Sequence, residues 1–188
     1  MALGLVYSQK RHPAALPTVL RLAEERLAVD GLRGTREIPL RSVRSARLTY
    51  EERGLGARGC KTTLTLEDGK RLSFTSTTWR GLVEVRPQPA EYNAFVAGLL
   101  PAIARANPRA VFLAGKPAWL WGLTVAAGAV VVAAAIVAGW WGYRDGSREV
   151  ALLGAATLVV AAWQMEPMVR RNRPRRFAPD SPPADLLA

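Results

Sequence analysis

From Pro117 to Tyr143 the chain carries no charged side chain, and this run limits what the polypeptide can fold into more than any other feature. At a rise of about 1.5 Å per residue, a helix over the run crosses a hydrocarbon layer of roughly 30 Å with room to tilt. A helix buried in a soluble core seldom stays uncharged for so long, because one stripe of it meets water. Trp119 and Trp121 stand at one end, and Trp140, Trp141 and Tyr143 at the other, as expected of amphipathic rings at the two headgroup levels. The run reads as a transmembrane helix over residues 117–143.

A second apolar run lies between Glu149 and Glu166, with Thr157 and Gln164 its only polar side chains. It reads as a second span over residues 150–166. A crossing needs roughly 17 residues, so Arg148 has to snorkel at one end and Gln164 to Glu166 to lie in the interface at the other. Trp163 is a further aromatic anchor on this reading. The connection, residues 144–149, has cancelling charges and an Asp145-Gly146 pair suited to a tight turn. So short a loop makes the helices antiparallel neighbours. Gly122 with Ala126, and Ala151 with Ala155, have the four-residue spacing that lets helix backbones approach, although composition alone also accounts for it.

Charge sets the orientation. Arg170, Arg171, Arg173, Arg175 and Arg176 follow the second run, Arg105, Arg109 and Lys116 precede the first, and the loop between is neutral. Positive residues within about 15–20 positions of a span resist translocation, so both termini are expected in the cytoplasm of a cell with an inner membrane. Residues 1–17 hold Lys10, Arg11, Pro13 and Pro17 and no apolar core of signal-peptide length. They are read as an N-terminal extension, and residues 167–188 as a basic cytoplasmic tail.

The chain has 26 Lys+Arg against 15 Asp+Glu, a net charge of +11, which favours an anionic partner. The single Cys60 and single His12 exclude an internal disulfide and leave too few soft ligands for a structural zinc site.

Residues 18–116 form the soluble domain. Thr18 to Ala23 and Arg26 to Asp30 read as strands about an Ala23-Glu24-Glu25-Arg26 bend. Val43 to Tyr50 reads as a strand with Arg44, Ala46, Leu48 and Tyr50 on one face. Thr62 to Glu67 and Arg71 to Thr75 make a hairpin around Asp68-Gly69, with Leu64, Leu66, Leu72 and Phe74 on its apolar face. From Pro89 to Ala106, the residues Tyr92, Phe95, Val96, Leu99, Leu100 and Ile103 trace one helical stripe. Pro101 inside it predicts a kink near Ala97 to Leu100 or an early end.

The opening hairpin TVLRLAEERLAVDG, the step from Ile38 to Val43 and the helix EYNAFVAGLLPAIARANP resemble bacterial pleckstrin-homology-like domains, in membrane proteins that join such a domain to two transmembrane helices. The resemblance covers roughly residues 18–116 and is architectural more than motif-level. It implies a membrane α+β chain: a small antiparallel β sandwich or barrel closed by a C-terminal amphipathic helix, then a two-helix hairpin. Members of that family that grip phosphoinositides carry basic residues in the first hairpin loop, where this chain has Glu24 and Glu25. Candidate headgroup contacts are instead Arg41, Arg44, Arg47, Arg53, Arg58 and Lys61, around the Gly54, Gly56 and Gly59 loop, together with the arginines of 170–176. A solvated basic surface is the plainer explanation of the same residues.

No nucleophile has a base beside it in this sequence, since His12 sits in a Pro-flanked segment. Glu24-Glu25 and Glu51-Glu52 are adjacent pairs that point to different sides of the backbone. The segment from Arg53 to Cys60 lacks the Lys-Ser/Thr ending of a phosphate loop. The expectation is therefore a protein without catalysis or cofactor, a membrane-anchored module that recruits or scaffolds a partner protein of the membrane or cytoplasm. An anionic-lipid-responsive or envelope-stress component is the first alternative and an accessory subunit of a membrane complex the second. Membrane lipids are expected partners, nucleic acid is disfavoured for want of an aromatic platform, and self-association is left open.

Overall fold

The computed structural model describes residues 4–31, 34–53, 57–80 and 84–188. The chain divides into two units, Met1–Ala114 with Arg175–Ala188, and Gly115–Pro174. In the first unit the strands are β1 (Val6–Gln9), β2 (Thr18–Leu22), β3 (Arg26–Gly31), β4 (Gly34–Pro39), β5 (Val43–Arg53), β6 (Ala57–Leu66), β7 (Arg71–Thr75), β8 (Thr77–Arg80) and β9 (Glu84–Pro87). Helix α1 (Pro89–Ala106) follows, then β10 (Val111–Ala114) and, after the second unit, β11 (Arg175–Arg176). Among the described residues β1 to β4 form one antiparallel sheet in chain order, and a second sheet has the order β11-β10-β5-β6-β7. Its one parallel pair is β10 with β5. Strands β8 and β9 form a separate ribbon.

The expected hairpins are present, and the turn chemistry explains them. The β2–β3 bend closes as Ala23 donates its N–H to the Arg26 carbonyl at 2.9 Å. Between β6 and β7, Gly69 takes φ +78° and Lys70 donates its N–H to the Asp68 carboxylate at 3.0 Å, which is the role Asp-Gly plays in such loops. On β5 the structure corrects the expected face. Val43 pairs with Leu66 but Ser45 pairs with Thr65, so Arg44 is the extra residue of a β-bulge. The bulge shifts the alternation by one position. Val43, Ala46, Leu48 and Tyr50 point inward, and Arg44 is exposed.

Helix α1 runs from Pro89 to Ala106 and buries Tyr92, Phe95, Val96, Leu99, Leu100, Ala102 and Ile103. It neither stops nor shortens at Pro101, because buried side chains on both sides of the proline hold both halves to the same core. Its end is tied down by Asn107, whose Nδ2 donates to the carbonyls of Arg41 at 3.2 Å and Val43 at 3.0 Å.

Two parts of the chain read as appendages belong to this core. Strand β1 lies within residues 1–17 and pairs with β2. Its Tyr7 stacks against Phe74, Tyr92 and Phe95 with ring centroids 5.6–6.1 Å apart, joining both sheets to α1. Gln9, also buried, accepts the Thr75 N–H at 2.8 Å and thereby links β1 to β7. At the other end, β11 pairs antiparallel with β10, Phe177 donates its N–H to the Phe112 carbonyl at 3.3 Å, and Leu186 is buried. Residues 175–188 are therefore part of the β unit and not a free basic tail.

The second unit is a hairpin of α2 (Ala118–Arg144) and α3 (Arg148–Arg171), both long and apolar enough to cross a membrane. Helix α3 extends past both expected bounds and continues through Pro167. The turn between the helices places Gly146 at φ +71°.

Candidate membrane-anchoring hairpin and basic surface

The α2–α3 seam is built from small residues, and of the expected ones Ala151 lies on it, against Gly142. Gly128, Ala135 and Gly142 on α2, and Gly154 and Ala161 on α3, are the buried positions. Gly122 has open space where a side chain would be, and Ala126 is exposed. The buried set recurs every seven residues. That interval keeps one face of each helix on a shared seam, as in left-handed pairs, and it lets the backbones approach closely at Gly139 and Gly154. Outside the seam the side chains are large and exposed, including Leu123, Val130, Ile136, Leu152, Leu153 and Val159. Thr124 and Thr157 donate their hydroxyls to the carbonyls of Leu120 and Leu153 at 2.9 and 2.8 Å, so neither needs a partner outside its own helix.

The seam fixes an antiparallel register. Gly142 meets Ala151, Gly139 meets Gly154, and Gly128 meets Met165. Trp119, Trp140, Trp141 and Tyr143 are exposed near the two ends of α2. Two other aromatics have different places. Trp121 donates its indole N–H across the seam to the Val169 carbonyl at 2.9 Å, tying the helices together at their base. Trp163 falls level with Val130, midway between Trp119 and Trp141, so it is not at an end of the hairpin. The same register puts Gln164 and Glu166 level with residues 127–129, well inside the stretch bounded by the tryptophans of α2. Glu166 meets its counter-charge on the next turn, where Arg170 Nε lies 2.9 Å from its carboxylate.

The basic residues that are described have different surroundings. Arg41 and Arg44 are exposed where β5 begins. Arg47 is half-buried, and its guanidinium pKa is lowered first by burial and then by the charge of Arg71. Lys61 is held by Glu51 at 2.8 Å across the β5–β6 pair, with both side chains about 30% exposed. Arg175 pairs with Asp185, whereas Arg173 and Arg176 are exposed and Arg171 half-buried. The side chains of Arg53 and Arg58, and the loop at Gly54 and Gly56, lie outside the described residues; Gly59 is in β6. Of the sequence candidates, Arg44 and Arg47 on β5, Lys61 on β6 and Arg175 and Arg176 on β11 belong to strands of one sheet.

Sequence reasoning passed over a buried polar cluster at the centre of the first unit. Tyr7 donates to the Thr75 carbonyl and receives the Gln88 amide at 2.7 Å, while Tyr92 shares a 2.8 Å hydrogen bond with Thr62. Burial pushes both phenols well above their ordinary pKa. They stay protonated and bridge the layers, and no acid–base pair is formed there. No group of His, Cys, Asp and Glu among the described residues is arranged to hold a metal ion. Cys60 is buried as a free thiol. No protein-family model, curated protein or solved structure matches the chain.

Proposed function

We propose that the chain is a non-enzymatic, membrane-anchored module, pleckstrin-homology-like in its first unit, that recruits or scaffolds a partner at the cytoplasmic face of a bacterial inner membrane. One observation carries the reading: an apolar hairpin with lipid-sized exposed side chains is inserted between β10 and β11, neighbouring strands of the β unit. In water so large an exposed apolar surface is a liability, and in acyl chains it is the ordinary state. The hairpin's two ends also meet at one place, since Lys116 donates its N–H to the Asn172 carbonyl at 3.0 Å. Both connections to the β unit therefore emerge on the same side of any bilayer the helices cross, in keeping with the arginine bias.

Two sheets closed by an amphipathic helix suit the pleckstrin-homology-like reading. The lipid-responsive alternative is weakened by the pairing of Lys61, Arg170 and Arg175 with carboxylates. Alkaline carbonate extraction of membranes from cells expressing the full chain tests the anchor. The protein is expected in the pellet, and release of the intact chain to the supernatant would refute the reading. Reporters placed after Gly146 and after Ala188 test the sides: activity of a periplasm-only reporter is expected at Gly146 alone.

A further inference from the structure

Residues 184–188 occupy a groove of the first unit and are held there by three different kinds of contact. The short 3-10 turn Ala184–Leu186 lies against β5 and buries Leu186 completely, at 0% exposure. Asp185 pairs with the Arg175 guanidinium. Asn93 on α1 then brackets the backbone of Ala188, its Nδ2 donating to the carbonyl at 2.7 Å and its Oδ1 accepting the N–H at 3.0 Å. That reciprocal pair is what a neighbouring β-strand offers an extended chain, and it reads backbone whatever the side chain. Between β11 and this turn the chain runs FAPDSPP, where Pro179, Pro182 and Pro183 have no N–H to give. Strand β11 itself is two residues long. A segment with one apolar anchor, one half-exposed ion pair and a proline-rich tether belongs to the low-stability end of a fold, the part that opens locally while the core stays closed.

We propose that this groove is a peptide-acceptor site, filled in this structure by the chain's own residues 184–188. The partner displaces them by presenting the same chemistry, a short turn with an acidic residue directly before a leucine, followed by extended backbone. The acid meets Arg175, the leucine enters the Leu186 pocket, and Asn93 brackets the backbone beyond it. This deepens the recruiting role proposed above and rests on that reading for its biological sense. Because the resident segment is tethered, a competitor faces an effective concentration on the order of millimolar, which keeps the site closed to weak ligands.

The test uses the full chain in detergent and a fluorescein-labelled peptide SPPADLLA, copied from residues 181–188, with binding read by anisotropy. Leu186→Asp in the protein unseats the resident segment but leaves the groove intact, and is expected to bind the peptide about tenfold more tightly than wild type. Adding Asn93→Ala to that variant is expected to cancel the gain, and a peptide with its first leucine replaced by Asp should not bind. Asp185→Ala, a milder loosening with little risk to the fold, should give an intermediate affinity. The proposal is overturned if neither variant binds more tightly than wild type, or if binding is indifferent to Asn93→Ala. The readout needs no bilayer, so its failure is distinguishable from failure of the carbonate test.

Discussion

At Gly154 the α2–α3 seam sets backbone against backbone, and one methyl group there tests the whole reading of the hairpin. A β-carbon built on Gly154 would lie 2.8 Å from both Cα and N of Gly139 and 2.9 Å from the Ala135 carbonyl oxygen. All three are backbone atoms, so no side chain can swing aside. Carbon atoms prefer about 3.5–4.0 Å, and the helices would have to part locally by roughly 0.7–1 Å, a gap that forfeits a quarter to a half of each dispersion contact it touches. Overpacking of this kind costs about 1–3 kcal/mol, and between apolar helices in lipid or detergent no hydrophobic term offsets it. Gly154→Ala should therefore lower the hairpin's association constant by roughly 5- to 150-fold. Gly122→Ala is the control, because nothing lies within 4 Å of the added carbon; removing a helical glycine there should be neutral or stabilising by up to about 1 kcal/mol. The assay is SDS titration of the full chain in mixed micelles, in a Trp79→Phe background so that tryptophan emission reports the hairpin. Equal midpoints for Gly154→Ala and wild type, or a larger loss for Gly122→Ala, would refute the seven-residue seam.

Other parts of the molecule make separate predictions. Phe95→Ala removes a buried ring that meets both Tyr7 and Phe74, and scanning calorimetry should show the first unit destabilised by about 3–5 kcal/mol. Tyr7 and Tyr92 have pKa values raised by burial above the ordinary 10.0. The folded chain thus keeps protons that the unfolded chain releases. Stability from these groups is fully present below pH 10 and falls above it by up to about 1.4 kcal/mol per pH unit for each tyrosine; Tyr92→Phe should remove one of the two proton equivalents from the slope of denaturation midpoint against pH. Lys61→Ala breaks a half-exposed ion pair with Glu51, so it should cost less than about 1 kcal/mol and leave flotation on anionic liposomes unchanged.

How far the sequence disclosed the fold follows from the range of the forces involved. Helix α1 and the two apolar helices are set by periodicity and length within their own segments, and the stripe from Tyr92 to Ile103 matches the buried set apart from Ala102. The Asp68-Gly69 hairpin is equally local. Arg44 was placed on the wrong face because strict alternation admits no bulge; the signal was there in Val43 and Ala46, apolar residues three apart where two was expected. The seam of α2 and α3 was hidden by abundance, since small residues occur at nearly every spacing in these helices and only the meeting of two backbones selects the seven-residue set. The roles of Tyr7, Gln9 and Asn93 rest on hydrogen bonds between residues 66 to 95 positions apart, and Leu186 lies in a turn that packs on the still more distant β5, which no local pattern announces.

The return of the chain to the sheet of β10 and β5 has a consequence for any attempt to study the β unit alone. A fragment ending at Lys116 would keep β10 but lose β11, and with it the pairs Leu113 with Arg176 and Ala114 with Arg175. It would also empty the site of Leu186 and leave Asn93 without its backbone partner. The lost β11 pairs are the larger part of the expected destabilisation, since residues 184–188 are the part of the unit that opens locally. The strand register suggests the better cut. Ala114 and Arg175 are directly paired neighbours on antiparallel strands, so replacing residues 115–174 with Asn-Gly supplies the two-residue turn such a pair favours. The resulting chain should be soluble, resist protease, and melt cooperatively at a temperature several degrees above that of the fragment ending at Lys116. If the joined chain aggregated while the shorter fragment stayed soluble and folded, β11 would not be integral to the unit, and the insertion of the hairpin between β10 and β11 would fail with it.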